Sequence, residues 1–178
     1  IEDVYESGSS KNEELNATLF SLINIIEKNG DSIVNDFDII LDEDQHFSFD
    51  VTGTTLLRFL ADVYGHSSID DLSYAEKTAT PDEVIDYLGG SSRFGVGEYA
   101  TDENGKRRFV VGSGYTQEEL LKIINLRYAI SLNNYQKYIP TTVATEVSNE
   151  TIAAVMENTD TLNGVSIAED TVRKYVDA

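Results

Sequence analysis

The sequence predicts an α+β fold with two lobes, a mixed helical and hairpin lobe followed by a βαβ-like C-terminal unit. Three observations support this prediction. Apolar residues recur at helical spacing in segment 10–29, and runs 37–41 and 47–51 alternate apolar and polar residues. The sequence patterns in the last third of the chain predict a helix, a strand, a second helix and a second strand, in that order. With 178 residues, 40% of them hydrophobic, the chain is long enough for one sizeable core or two small lobes.

The first helix is predicted from its cap, its periodicity and its stop. Ser9 or Ser10 can cap a helix that runs to about Asn29, and Gly30 provides the C-terminal stop. Five apolar residues fall on one face of this helix and should turn toward the core: Leu15, Leu19, Leu22, Ile23 and Ile26. The two alternating runs that follow predict a hairpin over 37–51.

Three further helices are predicted before residue 90. One should start at Thr54 or Thr55 and end at Gly65, and a short one should lie around 69–75. The strongest start is the sequence TPDE at 80–83, because threonine can cap, proline suits the first turn and glutamate can close a capping box.

Glycine is concentrated in segment 90–114, which holds six of the chain's 12 glycines. Asn104-Gly105 stands between two extended runs there, which predicts a hairpin with a two-residue turn. We interpret 91–114 as a hinge between an acidic, mainly helical lobe, residues 1–90, and a helix-strand-helix-strand unit, residues 115–178.

The last third of the chain carries an ordered set of motifs. A helix start carries Thr116, Glu118 and Glu119, and an extended run at 141–147 follows Tyr138, Ile139 and Pro140. A second helix carries Ser148, Glu150 and Glu157. Gly164 and Val165 then form a turn into a strand that ends with Arg173 and Tyr175. This order and spacing resemble the end of the N-terminal pedestal module, or dimerisation domain, of class B penicillin-binding proteins. Residues 1–114 resemble the clostridial-type elongation enzymes more loosely. Val176 stands where family members usually have proline.

The resemblance implies a non-catalytic module of a cell-wall transpeptidase whose transpeptidase domain is absent from this chain. It implies a place on the extracytoplasmic face of the membrane, anchored through an N-terminal span that this chain also lacks. The implied role is to hold the transpeptidase domain at the height of its peptidoglycan substrate. The implied partners are that domain, a SEDS-family glycosyltransferase and other elongation-complex proteins, and a homodimer is also compatible.

The net charge of −19 is uneven, with −16 in residues 1–90 and −3 in residues 91–178. Such a polyanion lacks the clustered lysine and arginine that nucleic acid requires, and an anionic membrane surface should repel it. Solubility is the simplest role of this charge. An alternative function is a free-standing extracytoplasmic binding module whose acidic lobe recognises a basic or cationic ligand.

The sequence predicts no catalytic site in this chain. The transpeptidase reaction needs Ser-x-x-Lys and Lys-Thr-Gly. No lysine has a serine three residues before it, and Lys77-Thr78 is followed by Ala79. Ser131-Leu132-Asn133 matches the family's Ser-x-Asn motif, but we interpret it as the end of a helix.

No metal or cofactor site is predicted either. Two histidines and no cysteine exclude a multi-histidine zinc site, a thiolate site and disulfides. Asp42 and Asp44 begin like a calcium loop, but His46 and Phe47 break that pattern, so a solvated turn is favoured.

Two sets of side chains are candidates for structural or interface roles. Tyr128, Tyr135 and Tyr138 should border the core with their hydroxyls reaching water, or else form a partner-docking surface. Arg173 should form a structural ion pair with a carboxylate such as Glu150 or Glu157.

Overall fold

The computed structural model describes residues 1, 9–133 and 140–168 and has an α+β fold, as predicted. In chain order the elements are α1 (Ser9–Lys28), β1 (Ile39–Leu41), β2 (Phe47–Phe49), α2 (Gly53–Val63), a 3₁₀ turn (Ile69–Asp71), α3 (Tyr74–Lys77), α4 (Pro81–Gly89), β3 (Gly97–Thr101), β4 (Arg107–Val111), α5 (Gln117–Leu132) and α6 (Asn149–Glu157). The strands form two separate antiparallel pairs, β1 with β2 and β3 with β4. No helix in the described ranges has both the length and the apolar character needed to cross a bilayer.

The core is built around α5. Its buried residues are Leu120, Ile123, Ile124, Asn125, Leu126, Arg127, Tyr128 and Ile130, which lie on every side of the helix. A helix buried all round needs neighbours on several sides, and here α1, α4 and β1 pack against it. The five predicted apolar residues of α1 are all buried. One cluster of buried residues includes members of all three predicted segments, so these segments share a core.

Local capping signals predicted the starts of α4 and α5, whereas Ser9 and Ser10, predicted as candidate caps of the first helix, lie inside α1. Thr80 forms the predicted capping box with Glu83 at the start of α4, and Thr116 forms one with Glu119 at the predicted start of α5. The predicted start of α2 at Thr54 or Thr55 is wrong, since Thr52 is the N-cap and Gly53 begins the helix. The short helix predicted around 69–75 is divided into the 3₁₀ turn and α3, because Ser73 caps a new helix there.

Both hairpins have the same turn, and it is longer than predicted for β3–β4. Asp102 N–H donates to Lys106 O at 2.8 Å, and Gly105 N–H donates to Asp102 O at 3.0 Å. The Asp102 carboxylate accepts from two backbone N–H groups inside the turn. This carboxylate selects a five-residue connection, so the predicted two-residue turn is wrong. Asp42 makes the matching bonds in the β1–β2 turn, residues 42–46.

The extended run predicted at 141–147 forms no β-strand in the described part of the chain. Its backbone bonds to scattered segments instead of to one neighbouring strand. Thr141 exchanges backbone hydrogen bonds with Ile1, at 2.7 and 2.8 Å, and Val143 O accepts from Val34 N–H at 2.6 Å. The predicted last strand, which ends at Arg173 and Tyr175, lies outside the described residues.

Candidate functional site

A groove of about 640 Å³ opens beside the C-terminal half of α5. Its walls are α2, the segment that precedes β1, the 67–69 turn and the end of α5. Among its lining residues, the polar side chains are Asp36, Asp38, Arg58, Asp62 and Tyr128, and the apolar ones are Phe59, Ile69 and Leu132. The groove thus brings three carboxylates and one guanidinium together with a few apolar side chains.

Tyr128 joins the groove to the core. Only 9% of the surface of Tyr128 is exposed. Its ring packs against the rings of Phe37 and Phe59, at centroid distances of 5.3 and 5.8 Å. Burial, and then the negative charges of Asp62 and Asp38, raise the pKa of Tyr128 above its ordinary value, so the phenol is neutral. In the part of the chain that the structure describes, its hydroxyl has no hydrogen-bond partner. The ring therefore belongs to the core, while the hydroxyl is available to the groove.

Arg58 closes one side of the groove. Its Nε donates to Asp62 Oδ1 at 3.2 Å, its Nη2 donates to the same oxygen, and its Nη1 donates to Ser67 O at 3.2 Å. The guanidinium thereby ties α2 to the turn before the 3₁₀ segment. The carboxylate of Asp38 is partly buried, and its desolvation and the nearby Asp50 charge raise its pKa. The Arg58–Asp62 pair has helical i,i+4 spacing, but no local pattern indicates that a groove lies beside it.

Sequence reasoning missed a buried polar network around Arg127. The residue is 5% exposed, and its Nη1 donates to Asn16 Oδ1 at 2.6 Å and to Phe94 O at 2.9 Å. Its Nη2 donates to Asn12 Oδ1 at 2.8 Å. The network joins α5 to α1 and to the loop before β3. One signal was present: Arg127 is the only charged residue between 123 and 130.

The other predicted site residues are spread over the described surface or lie outside it. Glu150 and Glu157 are exposed on α6. Gly164 has a φ of +83°, which fits the predicted turn after α6. Tyr135, Tyr138, Arg173 and Tyr175 lie outside the described residues. The Arg173 ion pair therefore stays a prediction.

The β1–β2 turn brings Asp42, Asp44 and His46 together, with one ligand atom of each within 4.8 Å of the others. The Asp42 Oδ1 atom already accepts from the N–H groups of Asp44 and His46, at 2.9 Å each. The matching turn at Asp102 makes the same two bonds with Lys106 in the last position. The carboxylate thus has a structural reason to be in the turn, and the cluster by itself does not indicate a metal site.

Comparison with known proteins gives one match. The family model described as the penicillin-binding protein dimerisation domain matches residues 4–178. A search of curated proteins and a search of solved structures each found no match. The family match covers nearly the whole chain, including both hairpins and the α5–α6 region that carries the ordered motifs. The chain therefore belongs to the penicillin-binding protein dimerisation-domain family, whose members are non-catalytic modules of penicillin-binding proteins.

Proposed function

We propose that this domain is the pedestal of a class B penicillin-binding protein of the elongation type and that it positions the transpeptidase domain relative to peptidoglycan. The family match over residues 4–178 is the observation that carries this proposal. The motifs between Thr116 and Gly164, which resemble those of class B enzymes, support the more specific assignment.

The packing of the domain suits a spacer. A close-packed body can transmit an orientation, because close-packed cores resist deformation. Here α1 packs on both α5 and α6, and the Arg127 network fixes α1 to α5 through buried hydrogen bonds. These ties connect the beginning of the described chain to its last helix.

The proposed setting is the extracytoplasmic face of the membrane, with an anchor and a transpeptidase domain supplied by the parent protein. The proposed contacts are with that transpeptidase domain, with a SEDS-family glycosyltransferase and with other proteins of the elongation complex. These contacts would make the domain a positioning module, which needs no reactive group of its own.

Replacement of the domain in the parent protein tests the proposal. A parent whose residues 4–178 are replaced by a glycine–serine linker should still react with a fluorescent penicillin, because the catalytic domain is untouched. It should fail to support wall elongation in a depletion strain, and it should no longer co-purify with the SEDS-family glycosyltransferase. Full complementation by the linker version would refute the positioning role. A parent with Arg108→Met, a change at an exposed residue of β4, is the matched control.

A further inference from the structure

The groove beside α5 has an unusual combination of a buried, neutral phenol and several carboxylates. Tyr128 is 91% buried, lines the groove, and has no hydrogen-bond partner for its hydroxyl in the described ranges. A buried hydroxyl ordinarily finds a partner, because leaving it without one costs free energy. A ligand in the groove would supply that partner.

The charge of the groove selects a cation. Asp36, Asp38 and Asp62 contribute three carboxylates, against one guanidinium from Arg58. Arg58 uses its donors on Asp62 Oδ1 and on Ser67 O, so it acts as part of the wall. Both of its bonds to Asp62 reach Oδ1, and in the described residues no hydrogen bond occupies Oδ2. One oxygen of the Asp62 carboxylate is therefore left without a hydrogen bond from the described residues, and Asp62 lines the groove together with Asp38.

The geometry favours an organic cation over a bare metal ion. Calcium needs six to eight oxygen ligands in one shell. In the described part of the chain, three acidic or histidine residues bring their ligand atoms within 4.8 Å of one another in the β1–β2 turn. The carboxylates of the groove form no such cluster. Separated acceptors instead suit an ammonium group, which directs three donors apart, while Phe59, Ile69 and Leu132 can cover an alkyl stem.

We propose that this groove binds an alkylammonium group, such as the lysine side chain of a partner peptide, with Tyr128 and the carboxylates of Asp38 and Asp62 as its hydrogen-bond acceptors. The proposal rests on the groove itself and is independent of the pedestal role. It also names a place where the alternative function suggested by the sequence, recognition of a cationic ligand, would occur.

Titration of the full chain with Nα-acetyl-lysine amide, followed by ¹H–¹⁵N NMR, tests the proposal. Saturable shifts should appear at amides around the groove, in α2 and in the 67–69 turn, and Nα-acetyl-norleucine amide should produce none. Tyr128→Phe should weaken binding about tenfold, the effect of one hydrogen bond to a charged group. Asp38→Asn should also weaken binding. The fold should tolerate this substitution, because it removes a partly desolvated charge.

Matched controls separate the site from general electrostatics. Tyr99→Phe, on the exposed face of β3, and Asp160→Asn, at an exposed position after α6, should leave the affinity unchanged. Equal shifts from the lysine and norleucine derivatives, or unchanged binding in Tyr128→Phe, would overturn the proposal. Tighter binding of Nα-acetyl-arginine amide, or displacement of the lysine derivative by millimolar calcium chloride, would also overturn it in favour of a different cation. None of these outcomes bears on the pedestal role.

Discussion

Asp31 holds the N-cap of a helix 117 residues later in the chain: its Oδ2 accepts a 2.9 Å hydrogen bond from the backbone N–H of Ser148. The same oxygen accepts from Ser148 Oγ at 2.8 Å and from Thr151 Oγ1. Ser148 is itself the N-cap of α6, so a carboxylate lies where the positive end of the helix dipole favours negative charge. The residue just after α1 thereby fixes the position of α6.

This contact predicts a pH dependence of stability. Hydrogen bonds from Thr151 and Ser148 lower the pKa of Asp31 below its ordinary value. A lowered pKa in the folded state contributes stability above the unfolded pKa, and this contribution is lost as the pH falls through the folded pKa. Urea unfolding between pH 6 and pH 2 should show a steeper acid loss in the wild type than in Asp31→Asn. Parallel curves would contradict the assignment. Asp160→Asn provides the control.

Arg127 should be the most costly charged residue to replace. Among the described residues, Arg127→Met removes three hydrogen bonds and leaves the side-chain oxygens of buried Asn16 and part-buried Asn12 without that donor. We expect a loss of unfolding free energy on the order of 3 kcal/mol in urea denaturation. The control Arg108→Met lies at an exposed residue of β4 and should change stability by less than about 0.5 kcal/mol. Equal effects of the two changes would mean that the buried network contributes nothing specific.

The two hairpin turns predict a stabilising substitution. Gln45 has a φ of +64° at the position where the matching turn has Gly105, with a φ of +78°. Side chains other than glycine and, to a lesser degree, asparagine and aspartate are strained in this region. Gln45→Gly should therefore raise the free energy of unfolding by about 0.5 kcal/mol. The gain from removing the backbone strain is partly offset, because glycine has more conformational entropy in the unfolded chain. Gly105→Gln should lower it by about 1 kcal/mol. Thermal melts of both variants check the pair, and a loss in Gln45→Gly would contradict the argument.

The chain by itself should not react with penicillin. It has no lysine three residues after a serine, and its family is non-catalytic. After incubation with a fluorescent penicillin and denaturing electrophoresis, the band should be unlabelled. A covalent label that disappears on substitution of one serine would contradict this prediction, and the full parent protein is the positive control.

Relative motion about segment 89–114 stays a prediction. Part of the glycine content there has a different reason: a Cβ on Gly97 would lie 2.1 Å from Val110 O, so the close pairing of β3 and β4 requires glycine. If the segment is also a hinge, hydrogen exchange should be fast at several of its amides and slow through α5. Exchange that is uniformly slow through the segment would indicate one rigid body.

The fold was predictable where its causes are local. The capping boxes at Thr80 and Thr116 and the apolar face of α1 depend on residues a few positions apart, and all of them are present in the structure. The extended run at 141–147 was predicted as a strand from its place in the ordered motifs, which does not reveal whether a partner strand exists. The groove and the Arg127 network could not be predicted, because their members meet only when α1, α2 and α5 pack together.

The Arg127 network also constrains the order in which the protein can fold. Asn16 and Asn12 both accept hydrogen bonds from Arg127, which lies 111 and 115 residues later in the chain. Contacts this distant form slowly, because chain closure costs entropy before the contact stabilises anything. During synthesis, α1 therefore cannot complete its buried surface until α5 has left the ribosome. A nascent chain that stops before Arg127 should remain sensitive to proteases, however complete its first hairpin is.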